Sequence, residues 1–201
     1  TFRQEDVISK KGADFLYPFD MRCEMIGKCG IKKFYCPAFE EVRHMDGRTF
    51  AEEILHQKMN AADVCCGKNF RFGERAACDV HNLEQFGNEF GFRVHVIDDV
   101  LKDGITISST EIRKLLLNGE IEKANLYLGE PYRIWQEVTH GAQLGRTIGF
   151  PTINQLFREH QLVPKFGVYA SETELEDGRK YKSLTNIGMK PTVNYDGLTL
   201  A

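Results

Sequence analysis

The sequence predicts an α/β domain followed by a small antiparallel β-barrel, and three observations carry that prediction. Over the first part of the chain, apolar runs at helical spacing alternate with short β-prone runs joined by short links. After it the texture changes to short β-prone runs divided by glycine-containing turns. Between the two lies Gly129–Glu130–Pro131, which reads as the boundary of domains spanning 1–129 and 130–201.

Each element follows from its residues. TFAEEILHQKMNA (49–61) places Thr49 and Glu52 at capping-box spacing, with Phe50, Ile54 and Leu55 as its apolar face. ADVCCG (62–67) reads as a short buried strand ending in a glycine turn. NLEQFGNEFG (82–91) reads as a helix broken by Gly87, and FRVHVI (92–97) alternates as a strand does. Helix, strand, helix and strand in that order imply a parallel pair. In ITISSTEIRKLLLNGEIEKANLYLGEP (105–131), Ser108 and Glu111 form a second capping box, and Ile112, Leu115 and Leu116 repeat at helical spacing. Asn118–Gly119 stops that helix, and a further one runs from Ile121 to Leu128. Beyond Gly129, YRIWQEVTHG, FPTINQL, FGVYASETELEDGRKYKSLTNIG and KPTVNYDGLTL are strand-like, with DGRK (177–180) as a hairpin turn.

Composition narrows the function. The 201 residues are 42% hydrophobic and 27% charged, the balance of an ordinary globular protein, and no apolar run is long enough to span a membrane. Residues 1–129 carry 18 Lys+Arg against 21 Asp+Glu, and residues 130–201 carry 8 against 8. Neither half has the basic footprint of a nucleic-acid binder. The opening TFRQEDVISKK is no secretory signal. The six cysteines, all within the first 78 residues, form no CxxC pair and read as reduced thiols of a cytoplasmic protein. Small molecules are therefore the expected partners, with no nucleic acid and no membrane, and the sequence assigns no oligomeric state.

Three stretches carry chemistry. In ISSTEIR (107–113), Ser108, Ser109 and Thr110 set hydroxyls at a helix N-terminus, where unpaired N–H groups favour phosphate. Arg113, one turn further in, reaches the same anion with a two-pronged guanidinium. The alternative is a plain cap with a surface arginine. In GKNFRFG (67–73), placed after a strand, Asn69 donates and accepts hydrogen bonds, while Phe70 and Phe72 either face a ligand ring or belong to the core. In LGRTIGFPTINQ (144–155), Gly145 and Gly149 allow close approach of the backbone to phosphates, and Pro151 suits a strand start. Thr152 and Asn154 then project to one side, offering hard oxygen ligands for Mg2+ carried with phosphate. The alternative there is a decorated turn. The six histidines share no metal spacing, and ETELED (172–177) reads as a solvated strand and turn.

Taken in order, these stretches resemble one family. GRTIGFPTIN is similar to the GRxxGxPTAN motif of riboflavin kinases, with Ile153 where alanine is usual, and NIGMKPTVN (186–194) matches their NIGxxPT run. ISSTEIRKLLLNGEIEKANLYLGEPY resembles the segment closing the adenylyltransferase module of bifunctional riboflavin kinase/FMN adenylyltransferases, and CGKNFRFG resembles that module's xGxDFRFG. The resemblance implies a Rossmann-like nucleotidyltransferase domain followed by a six-stranded riboflavin kinase barrel. One module would phosphorylate riboflavin with ATP to give FMN; the other would adenylylate FMN with ATP to give FAD and pyrophosphate, both with Mg2+.

Carried over by residue, Ser108, Ser109, Thr110 and Arg113 would bind the ATP phosphates of the adenylyltransferase, with Asn69 near flavin or nucleotide. Gly145, Gly149 and Pro151 would shape the kinase loop, while Thr152 and Asn154 would hold Mg2+ and nucleotide. No catalytic residue is assigned, because the family's HxGH segment has no counterpart in this sequence. The resemblance expects it ahead of Thr1–Phe2, which are followed by Arg3, Gln4 and Glu5 where His-Pro is usual. The kinase's general-base glutamate is expected after a strand such as GLTL, near Ala201. Two narrower readings are one activity alone, or a flavin- or nucleotide-binding regulator without catalysis.

Overall fold

Asp63–Gly67 (β1) and Arg93–Ile97 (β2) pair in parallel, with Cys65 opposite His95, as the alternation of helix and strand predicts. The computed structural model describes residues 14–139, 152–189 and 198–200. By internal contacts the chain forms two units, Thr1–Gly12 with Cys23–Ile107, and Ala13–Arg22 with Ser108–Ala201.

Along the chain, α1 (Phe19–Lys28) and α2 (Phe39–Val42) come first, then α3 (Gly47–Thr49), which runs on into a π-helical Phe50–Lys58. The expected cap at Thr49 is corrected: the N-cap is Asp46, whose carboxylate accepts from Thr49 N at 3.0 Å and from Thr49 Oγ1 at 2.6 Å. A carboxylate is the stronger acceptor, so winding starts one turn earlier and Thr49 lies inside the helix.

The crossover from β1 to β2 passes through α4 (Val80–Phe90), since parallel strands cannot be joined by a tight turn. Asp79 caps α4 by accepting from His81 N and Asn82 N, and Asn82 Oδ1 accepts from Asp79 N in return. Gly87 does not break this helix. It is buried inside it, and a Cβ there would stand 2.6 Å from the Phe92 carbonyl, so glycine is what lets β2 pass close. Ala51, Phe72, Leu83 and Phe92 form the core, joined by Val64, Cys66 and Val94 from one face of the strands. The opposite face, with Asp63 and Cys65, is exposed, so β1 is half-buried rather than the wholly buried strand expected. On that face Arg93 grips Asp63 with two bonds of 2.8 Å, and His95 Nε2 lies 2.7 Å from the same carboxylate. The short hairpin of β3 (Leu101–Lys102) and β4 (Ile105–Thr106) follows.

After Ala13–Arg22 the second unit continues with α5 (Ser109–Asn118) and α6 (Ile121–Leu128), as expected. Ser108 caps α5, and Gly119, at φ 82, ends it in the left-handed region. Their buried residues are Ile112, Leu115, Leu116, Ala124 and Tyr127. The strands β5 (Val138–Thr139), β6 (Asn154–Leu156), β7 (Gly167–Glu174), β8 (Lys180–Met189) and β9 (Leu198–Leu200) form one antiparallel sheet in the order β5-β6-β9-β8-β7. The DGRK turn closes the β7–β8 hairpin, with Glu174 opposite Lys180. Of YRIWQEVTHG only Val138 and Thr139 are in a strand among the described residues.

Candidate functional site

The N-terminus of α5 carries all four residues expected there, and a hydrogen bond joins Ser109 to Arg113. Ser108 Oγ accepts from Glu111 N at 3.2 Å, which leaves the hydroxyl proton to donate. Ser109, one helical turn before Arg113, accepts a 3.1 Å bond from Arg113 Nη1. Thr110 is exposed beside them. Hydroxyls, helix dipole and guanidinium thus share one end of one helix, an arrangement that favours an anion.

One partner was invisible to sequence reasoning. Arg113 Nε donates to the main-chain carbonyl of Asp14 at 2.7 Å, across 99 residues of chain. Two points of the guanidinium are therefore tied to protein, and the fork has a set direction. The Asp14 segment is itself held: Phe15 N donates to His160 O at 2.8 Å and Leu162 N donates to Phe15 O at 2.9 Å. A backbone carbonyl has no side-chain signature, so no sequence signal pointed to it.

Asn69 follows β1 on the exposed turn Gly67–Phe70, where Phe70 N donates to Gly67 O at 2.9 Å. Its neighbours settle the open alternative for the aromatics. Phe72 is buried in the core, its ring 5.5 Å from Phe70 and 5.7 Å from Phe50, so it is packing and no ligand platform. Asn69 belongs to the first unit and the α5 terminus to the second.

Asn154 opens β6, opposite Thr139 of β5, whose Oγ1 donates to the Asn154 carbonyl at 3.1 Å. Thr152, two residues earlier, is exposed, and Asn154 is half-buried. Gly145, Gly149 and Pro151 lie outside the described residues. The donors present fit Mg2+: a hydroxyl and an amide oxygen are hard ligands. Among the described residues no group of three or more His, Cys, Asp or Glu gathers to trap a metal on its own. Neutral oxygens of this kind suit a cation that arrives with nucleotide phosphates.

Two family models match the chain in the order these sites occur. FAD synthetase matches residues 2–111, and Riboflavin kinase matches residues 128–200. The chain belongs to the bifunctional riboflavin kinase/FMN adenylyltransferase family. Relatives named bifunctional riboflavin kinase/FMN adenylyltransferase bear this out. That of Haemophilus influenzae is 38% identical over 146 residues, covering 72% of this chain and 47% of the relative. That of Escherichia coli is 33% identical over 169 residues, covering 84% and 54%. That of Listeria monocytogenes is 30% identical over 188 residues, covering 93% and 59%. The chain thus spans about half the length of the curated relatives it matches. A solved structure titled as a macrolide-efflux protein from Streptococcus pneumoniae superposes with a TM-score of 0.80 at 25% identity, covering 100% of this chain and 66% of that one. Among the described residues no helix is long and apolar enough to cross a membrane.

Proposed function

We propose that the protein containing this chain makes flavin nucleotides, phosphorylating riboflavin to FMN and adenylylating FMN to FAD, each with ATP and Mg2+. The observation that carries this is the succession of an FAD synthetase match and a riboflavin kinase match along one chain, the first ending at the anion-favouring end of α5. Both reactions transfer a phosphorus centre, which asks of the protein positioning and charge neutralisation more than a strong nucleophile.

In this reading residues 1–129 form a Rossmann-like adenylyltransferase domain and residues 130–201 part of a kinase β-barrel. Ser108, Ser109, Thr110 and Arg113 hold ATP phosphates in the first, with Asn69 at the flavin or nucleotide. Gly145, Gly149 and Pro151 shape the kinase loop, and Thr152 and Asn154 hold Mg2+ and nucleotide. Bound there, the cation would neutralise charge on the transferring phosphoryl group. All six cysteines are free thiols, which suits the cytoplasm.

The test is incubation of the full-length protein with riboflavin, ATP and Mg2+, followed by separation of FMN and FAD. Both products are expected. Absence of FMN would sink the kinase assignment, and FMN that is never converted to FAD would sink the adenylyltransferase one.

A further inference from the structure

We infer that Gln161, within the stretch matched by the riboflavin kinase model, is a positioning residue for Arg113 at the adenylyltransferase phosphate site; the inference rests on the function proposed above. The path is continuous and lies within one unit. Gln161 is 3% exposed, and its Oε1 accepts from Arg158 N at 3.3 Å and from the buried Gln136 side chain. Gln161 N in turn donates to Arg158 O at 3.1 Å, so side chain and backbone together close the turn 158–161. That turn presents His160 O and Leu162 N to Phe15, making the bridge between Phe15 and Gln161. Phe15 follows Asp14, whose carbonyl takes the Arg113 Nε hydrogen.

Burying the amide pair of Gln136 and Gln161 costs desolvation, so what it specifies is geometry. Here it specifies where the Asp14 carbonyl sits. Arg113 can aim its remaining N–H groups at a phosphate only while Nε and Nη1 stay on Asp14 O and Ser109 Oγ. Loosening the turn shifts the anchor, and a displacement of about 1 Å costs on the order of tenfold or more in a phosphate clamp. Arg158 braces the same turn from the surface through Asp20, at 3.0 Å and 3.1 Å.

The experiment uses the full-length protein and its Gln161→Leu variant, each alone and combined with Arg113→Ala, with FAD formation from FMN and ATP followed at varied concentrations of both. Gln161→Leu is expected to raise KM for ATP about tenfold and leave KM for FMN unchanged, with no additional loss when Arg113 is already alanine. Retained riboflavin phosphorylation reports that the altered region is folded. Should Gln161→Leu not fold, Arg158→Ala loosens the turn from its exposed side and is expected to move KM for ATP in the same direction by a smaller factor. An unchanged KM for ATP, an equal rise for both substrates, or an undiminished loss in the Arg113→Ala background overturns the inference. Failure of the unaltered protein to make FAD instead overturns the adenylyltransferase assignment on which the inference stands.

Discussion

Ser109 and Arg113 stand one turn apart on α5, and Arg113 Nη1 donates to Ser109 Oγ at 3.1 Å while Nε donates to the Asp14 carbonyl. The arginine is therefore held by its shape as well as its charge. Arg113→Lys keeps the charge but loses the fork and both anchors. It is expected to lower kcat/KM for FMN adenylylation by about tenfold or more, a loss of roughly 1.4 kcal/mol. Riboflavin phosphorylation is expected to stay near the unaltered rate, and steady-state assays of the two half-reactions check both.

Thr152→Ala removes an exposed hydroxyl beside β6 without touching the core. It is expected to abolish FMN formation and leave FMN-to-FAD conversion largely intact. Equal loss of both activities in the same product-separation assay would mean that the two sites are not separate.

Gly87 sits where a side chain would meet the Phe92 carbonyl at 2.6 Å. That obstacle is backbone, so it cannot swing aside. Gly87→Ala is expected to destabilise the protein by about 1–3 kcal/mol, read as a lower urea midpoint. A neutral or stabilising result would mean that β2 is free to move away from α4.

Losing the cap of α5 has a smaller and more local effect. Ser108→Ala leaves the Glu111 N–H without its side-chain acceptor and is expected to cost about 1 kcal/mol. Ser108→Asp restores the acceptor, so it should recover stability. It also sets a negative charge where phosphate is proposed to bind, so FAD formation should fall. Stability and activity moving together in Ser108→Asp would contradict that separation.

Asp63 offers a test by pH. Its hydrogen bonds from Arg93 and then from His95 hold the carboxyl down at about 2 in the folded protein, below the ordinary 3.8. A lowered folded value means the stabilising effect is complete above the unfolded value and disappears as pH falls through the folded one. The stability difference between the unaltered protein and Asp63→Asn should therefore shrink between about pH 4 and pH 2. It should also weaken with added salt, because the cluster is exposed. A difference independent of pH across that window would remove Asp63 as its cause.

Much of the second unit was legible because its signals are local. Ser108 and Gly119 bound α5, where a polar cap and a glycine end leave little freedom, and Gly129 ends α6 in the same left-handed way. The parallel pairing of β1 and β2 was legible as well, since a strand, a helix and a second strand in succession have few ways to pack. The start of α3 was misread because two acceptors competed for neighbouring backbone, and the carboxylate of Asp46 won over the Thr49 hydroxyl. Gly87 was misread because its use is tertiary. Helix propensity treats it as a breaker, while packing against Phe92 makes it the residue that fits.

The same division holds at the candidate site. Sequence alone determined which residue types stand there: hydroxyls at a helix start, an arginine one turn on, and Thr152 with Asn154 at alternate positions, because spacing and donor type are written in residue order. Only the tertiary structure decided that Phe72 is core, that one face of β1 is open, and that Arg113 is anchored by Asp14 and, beyond it, by the turn at Gln161. Those facts depend on main-chain groups and on residues far apart in the chain, brought together by burial and hydrogen bonding that no local pattern encodes.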